Sequence, residues 1–459
     1  MLRGTATALM ALGGVFLGLV GPGMPVAPAA PTCTITFVGP PTGGPGDWGT
    51  AANWNPARVP LATDDVCIPA GRTVIHSSGT VPVLSIQSLG DLQLTGGTLT
   101  LTRTSDDSPI TKLEMSGGTL AGAARVVIGS SMTWSGNALM TGVGTTAVAA
   151  GATLTQSGNV SLQNGRMLEI GGTLDNTVDA TLGTGGTAPL IHVLAGGVLK
   201  KSGGSVSSRV DPQLQNDGGV QASSGTLQLD GGSSSGTGSF GATPATGTVA
   251  LTGGTFTLTG GAKFLGSVSL SGATVQVAQL ATLTLSGSNT MSGGTLGGTG
   301  TVSIPSGTLI WAGGTMDGAG PTALDAGATI KQTGGVTIQN SRLLQIGGTF
   351  DDTVDATLGT GGMTPHIDVL STGVFKKSGG SVSSRVDPPL QNDGAVQAST
   401  GTLQLDGGSS AGAGSFGGAQ GGTVAFTGST FNLSDGAKFL GSVSLSGATV
   451  QVAAGGTLT

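Results

Sequence analysis

Charge is scarce in this chain. Asp, Glu, Lys and Arg make up 9% of its 459 residues, against about 25% in an average soluble domain. The 17 basic and 23 acidic residues leave a net charge of -6, so there is no basic face of the kind that binding nucleic acid requires. Aromatic residues are 3% and tyrosine is absent. That poverty counts against an array of β-sandwiches, whose cores want large aromatics and which is the main alternative for short strands with frequent turns. Two cysteines and three scattered histidines cannot build a zinc site. No metal ion or cofactor is expected. Beyond the amino terminus no apolar run approaches 18 residues, so the mature chain is expected to have no transmembrane span.

Glycine is abundant. The 88 Gly and 20 Pro together are roughly a quarter of the chain, against about an eighth in average usage, and long-helix folds are excluded. The 37% of apolar residues, with so few charges, is not the signature of disorder, so order must come from pattern.

Met1-Leu2-Arg3 sets one positive charge before an apolar stretch from Ala6 to Val20, and the small residues Ala27, Ala29 and Ala30 close the segment. Residues 1–30 read as a secretory signal peptide cleaved after Ala29 or Ala30, its apolar core being shorter than the ~20 residues a retained anchor needs. In an exported chain Cys33 and Cys67 are expected to pair, two buried free thiols being the alternative. Closing that loop of about 35 residues is worth roughly 3–4 kcal/mol in the chain-entropy picture.

Self-comparison reveals a long repeat. Met115-Ser-Gly-Gly-Thr-Leu120 returns as Met291-Ser-Gly-Gly-Thr-Leu296, and the run from Lys200 to Pro212 returns at Lys376 to Pro388, both at an offset of 176. Phe264 to Val275 returns at Phe439 to Val450 after a one-residue slip. The chain divides into the signal peptide (1–30), an amino-terminal cap module (31–90), first coils (91–114), repeat unit one (115–290) and repeat unit two (291–459), which breaks off within a coil.

A shorter motif recurs inside each unit: a Gly-(Gly/Ala)-Thr-apolar corner followed by strict alternation. Its apolar positions include Leu99, Leu120, Leu154, Leu174, Phe256, Val275, Leu296, Met316, Ile330 and Phe350, and neighbours are often 19–21 residues apart. Period-two strands with one buried face, recurring about every 20 residues, predict an all-β parallel β-helix, or β-solenoid, of some 19 coils. One coil cannot offset the entropy of ordering its backbone with the few side chains it turns inward, so stability must come from stacking.

The opening of the cap carries a resemblance. Gly46-Asp47-Trp48 and Asn53-Trp54, then Val59-Pro60 and Asp64-Asp65-Val66-Cys67-Ile68-Pro69-Ala70-Gly71, resemble the start of secreted bacterial β-helix proteins, and the module is similar to the eight-glycine domain of some of them. The Gly-Gly-Thr-Leu coils resemble autotransporter-passenger and haemagglutinin-type adhesin repeats. The resemblance implies a cap on the first coil and a secreted or cell-surface role. An open solenoid end is an unpaired strand edge, which Trp48 and Trp54 could cover by packing. The functional alternative for these tryptophans is a sugar-binding platform.

Candidate chemistry is thin. Asp211 and Asp230, beside Arg209, are about one coil apart, and the same trio recurs as Asp387, Asp406 and Arg385. Two carboxylates near one another could act on a glycosidic bond. Equally, Asp-Pro and Asp-Gly are turn dipeptides, and Arg209 with Asp211 reads as a surface ion pair. Asp175 and Asp179, with counterparts Asp351 and Asp355 and the additional Asp352, lack the dense spacing of a calcium loop and read as solvated turn carboxylates. His192 corresponds to Asp368 and His366 to Leu190, so no histidine base is shared between units; His76 reads as a packed or edge residue. Thr-x-Thr runs such as Thr98–Thr102 and Thr255–Thr259 occur in too few coils for a flat ice-binding face. The expected function is that of a non-enzymatic structural or adhesive surface protein with extracellular glycans or other cell-surface proteins as partners. A polysaccharide lyase or glycosidase is the alternative.

Overall fold

The computed structural model describes residues 32–41, 43–233, 236–242, 246–409 and 412–459; the expected signal peptide, residues 1–30, lies outside them. Among the described residues one 3-10 turn, Ala51–Asn53, is the only helical element, and the rest is strand, corner and turn. Among the described residues no helix is long and apolar enough to cross a membrane. The strands wind into a parallel β-solenoid of about 18 coils of roughly 21 residues, which at about 4.8 Å per coil is a rod near 85 Å long.

Alternation sets which side chains enter the rod. In Thr98–Leu101, Leu99 and Leu101 are fully buried while the two threonines face outward. The recurring apolar positions are stacked partners. Leu99 lies in register with Leu120, Leu154 with Leu174, and Ile330 with Phe350. Phe256, Val275, Leu296 and Met316 form one continuous column. All ten are at most 2% exposed, and each contributes about 2 kcal/mol of apolar burial. Stacking shows in one pair of repeat counterparts: Leu270, covered by a coil on each side, is 3% exposed, whereas Leu445, in the last described coil, is 57% exposed. Parallel ladders between consecutive coils exclude the sandwich.

Three faces run the length of the rod. The first passes from Asp65–Ile68 through Thr145–Val148 and Gln213–Asn216, narrows to a single bridge at Ser233, and continues from Thr255–Leu258 to Val443–Ser446. The second begins at Thr73–His76 and includes Thr153–Gln156, Val198–Lys201 and Leu343–Ile346. The third runs from Thr80–Val83 through Ser207–Val210 and Thr329–Gln332 to Lys438–Phe439. Early in the rod, the long strands Ser85–Leu94 and Arg125–Trp134 bend across the edge between the first two faces, with a register shift at each bend. At the corners after Thr119–Gly122 and Thr295–Gly298, Gly122 and Gly298 hold φ of 106° and 104°, and a Cβ on either would overlap the carbonyl of Leu101 or Val277 in the coil before. Only glycine fits there.

The two repeat units are not superposed by a translation along the axis. Following the third face from Ser207–Val210, eight successive pairings lead to Val374–Lys377. The repeat counterpart of Ser207–Val210, Ser383–Val386, is the next side of that coil, on the first face. An offset of 176 residues is eight coils of roughly 21, with about one strand and corner left over. Each duplicated feature is therefore shifted along the rod and turned onto the neighbouring face.

The cap adds rungs to the leading edge. Ile35–Phe37 pairs in parallel with Asp65–Ile68 and antiparallel with Trp54–Asn55, and Gly46–Asp47 pairs with Thr73–His76. Cys33 and Cys67 are joined, with Cα atoms 5.6 Å apart. Trp48 and Trp54 are buried edge-to-face at 5.0 Å, the indole of Trp54 donating to the Trp48 carbonyl, and Phe37 packs on Trp54. Neither indole offers an exposed platform. Asp64 takes two bonds from Arg58, at 2.5 and 2.7 Å, and Asp65 bonds Arg103 and Ser85.

Candidate functional site

The outer surface is built from the alternate residues that the coils turn outward, so a site must come from what neighbouring rungs place side by side. Arg209 stands on Ser207–Val210 between Thr181 of the preceding coil and Gln228 of the following one. Asp211 leaves the same strand at its corner, and Asp230 leaves the next coil at the equivalent corner. Arg209 Nε lies 2.7 Å from Asp211 Oδ1 and 2.5 Å from Asp230 Oδ2. The second unit reproduces this arrangement. Arg385 Nε lies 2.6 Å from both Asp387 Oδ1 and Asp406 Oδ2, again between a threonine, Thr357, and a glutamine, Gln404. Both guanidinium groups are about half exposed. Thr252 and Thr427 hold the outer carboxylates, Asp230 and Asp406, from the following coil.

Burial pushes the Asp211 carboxyl above the usual carboxylate range; Arg209 opposes this and Asp230 adds to it. One arginine thus binds both carboxylates of each trio. The half-exposed guanidinium beside two acceptors presents donors and acceptors together, a pattern that meets the paired hydroxyls of a sugar. A second polar patch lies near the cap on the second face, where Asp91, Gln93, Lys112, Glu114, Ser131 and Thr133 line an open cleft. There Lys112 pairs with Asp91 at 3.5 Å and Gln93 donates to Glu114 at 3.1 Å.

The other acidic candidates have structural partners. Asp175 and Asp351 pair with Lys200 and Lys376 of the next coil. Asp179 and Asp355 are exposed turn carboxylates as expected from sequence, though held by partners, whereas Asp352 departs from that expectation because it is turned inward on its strand and buried. Asp179 and Asp355 each receive a fully buried ammonium, Lys201 at 2.7 Å and Lys377 at 2.8 Å, together with two backbone N–H groups. Lys201 and Lys377 hold these carboxyls below the usual range. Asp352 is 2% exposed, and burial pushes its carboxyl up. Among the described residues no group of three or more His, Cys, Asp or Glu is arranged to hold a metal ion.

His192 bonds Asp217 at 3.0 Å. His366 lies on the strand that carries Asp368, the counterpart of His192. His76 is packed at the cap junction, edge-to-face on Trp48 at 6.0 Å, and burial lowers its pKa.

Two buried arginines escaped the sequence reading. Arg166 and Arg342 are at most 1% exposed. Arg166 donates to Thr146 Oγ1 one coil back and to the Gly122 carbonyl two coils back; Arg342 does the same with Thr322 and Gly298. Neither has a carboxylate in its hydrogen-bond set, and desolvation lowers both pKa values to about 10. They are clamps across three coils. Comparison with protein-family models, curated proteins and solved structures finds no match.

Proposed function

We propose that this protein is a secreted or cell-surface β-solenoid that works by display: a non-catalytic rod whose repeated polar constellations bind extracellular glycans or other surface partners. The observation that carries the reading is the duplication of the Arg–Asp–Asp trio, with the same flanking threonine and glutamine, on two different faces roughly 40 Å apart along the axis. Two copies of one patch facing different directions cannot close around a single chain as the walls of a groove do. They can each hold a separate partner, which suits bridging between surfaces and gains from multivalency. The export signal expected at residues 1–30 and the resemblance of the coils to adhesin repeats support the same role.

The competing reading, a polysaccharide-acting enzyme, rests on Asp211, whose raised carboxyl beside Asp230 has the character of a general acid. Against it stands Arg209 Nε, which ties both carboxylates to one cation. A glycan-array screen run beside a polysaccharide-cleavage assay separates the two. The display reading expects binding without turnover, reduced by Asp211→Ala and Asp387→Ala. Turnover abolished by either substitution overturns it.

A further inference from the structure

The polar groups of the two buried lysine sites differ at one position. In the second unit the fully buried Lys377 Nζ lies 2.8 Å from Asp355 Oδ1, and it also donates to the carbonyls of Gly379 at 2.6 Å and Val354 at 3.0 Å. The Asp355 carboxylate also accepts from the backbone N–H of Ser381 at Oδ2 and from that of Val382 at Oδ1, each at 3.1 Å. Asp352 lies in register with Lys377 across adjacent coils, 2% exposed, its Oδ1 accepting from Val354 N. In the first unit Lys201 and Asp179 repeat the pair at 2.7 Å, with Ser205 and Val206 N–H on the carboxylate. There the position of Asp352 is held by Asn176, whose amide nitrogen is spent on Gln156.

From this geometry we propose that Lys377 and Asp355 form a self-catalysed intramolecular amide cross-link, with Asp352 as the proton-transfer group, and that the Lys201–Asp179 pair stays ionic because Asn176 cannot carry a proton. The amine, the carboxyl and the N–H donors are in direct contact, and Asp352 stands on the neighbouring rung in register with Lys377. The amine is aimed at a carboxyl it cannot leave, which supplies the effective concentration of an intramolecular reaction. The Ser381 and Val382 N–H groups sit where negative charge develops on the carboxyl oxygens, as in an oxyanion hole. Asp352, buried and therefore more basic than an ordinary carboxylate, is suited to move protons near the lysine.

The step balances within the site. Asp352 takes one proton from the Lys377 ammonium and relays it to an Asp355 oxygen, and the freed lone pair attacks Cγ of the neutral carboxyl, forming the C–N bond. The attacking nitrogen gives up a second proton. This proton passes to the same Asp355 oxygen, the C–O bond breaks, and that oxygen leaves as water. An ammonium and a carboxylate become a neutral amide and one water, Asp352 is regenerated, and no oxidant, reductant or activated co-reactant takes part. The product also removes the charge of a fully buried ammonium, whose desolvation is costly.

The test is intact-mass measurement and peptide mapping of the purified folded protein. The expected wild-type result is a mass lower by one water beyond that of the disulfide, a branched peptide joining Lys377 to Asp355, and an unmodified Lys201. Asp352→Asn, which installs the side chain that the first unit already accommodates, should restore the missing water while circular dichroism stays unchanged. The reciprocal Asn176→Asp should add a second branch at Lys201–Asp179. Recovery of an unbranched Lys377 peptide from folded wild-type protein overturns the proposal. So does a branch that persists in Asp352→Asn, or an Asn176→Asp protein that folds without gaining one.

Discussion

Arg209 and Arg385 are repeat counterparts with matching neighbours, yet they stand on different faces of one rod. The duplication inserted eight coils and one further side, so whatever the first unit presents in one direction the second presents in another. If each patch binds its own partner, the two act together only on a surface that reaches both. Arg209→Ala and Arg385→Ala should each leave the affinity of the remaining patch for a free oligosaccharide unchanged. Each should lower avidity for a densely coated surface by about 100-fold or more. Surface plasmon resonance against the array-selected glycan, at low and high coating density, checks this.

The buried arginines predict a local stability cost. Arg166→Ala removes a clamp spanning three coils and leaves the Gly122 carbonyl without its side-chain donor. The expected loss is about 3 kcal/mol, combining a cavity with unmet polar groups. Arg166→Met, which refills the space without a charge to desolvate, should lose less than Arg166→Ala. Denaturant melts of the two variants measure the difference.

The cap should respond to acid in two separate ranges. Burial depresses the pKa of His76, so the folded state favours the neutral ring while the unfolded chain takes a proton near pH 6.5. Stability is full above that pH and falls as pH drops through it toward the lower folded value. The Arg58 guanidinium holds Asp64 down to about 2, so its contribution is present above pH ~4 and is lost between there and about pH 2. Melting followed by fluorescence of Trp48 and Trp54 should show both losses. His76→Phe should erase the upper one and Asp64→Asn the lower.

Reduction of Cys33–Cys67 should loosen the cap alone. The cross-link is worth roughly 3–4 kcal/mol, and a solenoid's stability is a sum over neighbouring coils. A reducing agent should therefore lower the midpoint of the tryptophan transition and leave the main β-sheet transition by circular dichroism in place.

Much of this architecture was legible in the residues. The spacing of Leu99 from Leu120, or of Phe256 from Val275 and Leu296, is the length of a coil, and these residues are stacked partners. Alternation alone would also have flagged Lys201, because it lies two residues after the buried Leu199 and so on the inward side of its strand. Lysine is so rarely buried that its chemistry outweighed its position in the pattern. The turning of one unit relative to the other was not legible. It depends on counting sides through Ser233, a one-residue rung between glycine-rich corners that carries no strand pattern. Arg166 and Arg342 gave no signal either, since each sits in a corner just before its strand, where periodicity does not say which way a side chain turns. The trio around Arg209 was found because it is duplicated, and the structure brings its members together in both copies.

The stacking of coils, and the count of coils between the two units, is tested most directly by a distance. Spin labels placed on cysteines at Ser207 and Ser383, with the native disulfide left intact, should give one narrow distribution centred a little above 40 Å, the span of eight coils plus a step to the next face. A broad distribution, or a separation well under 30 Å, would contradict a single continuous solenoid.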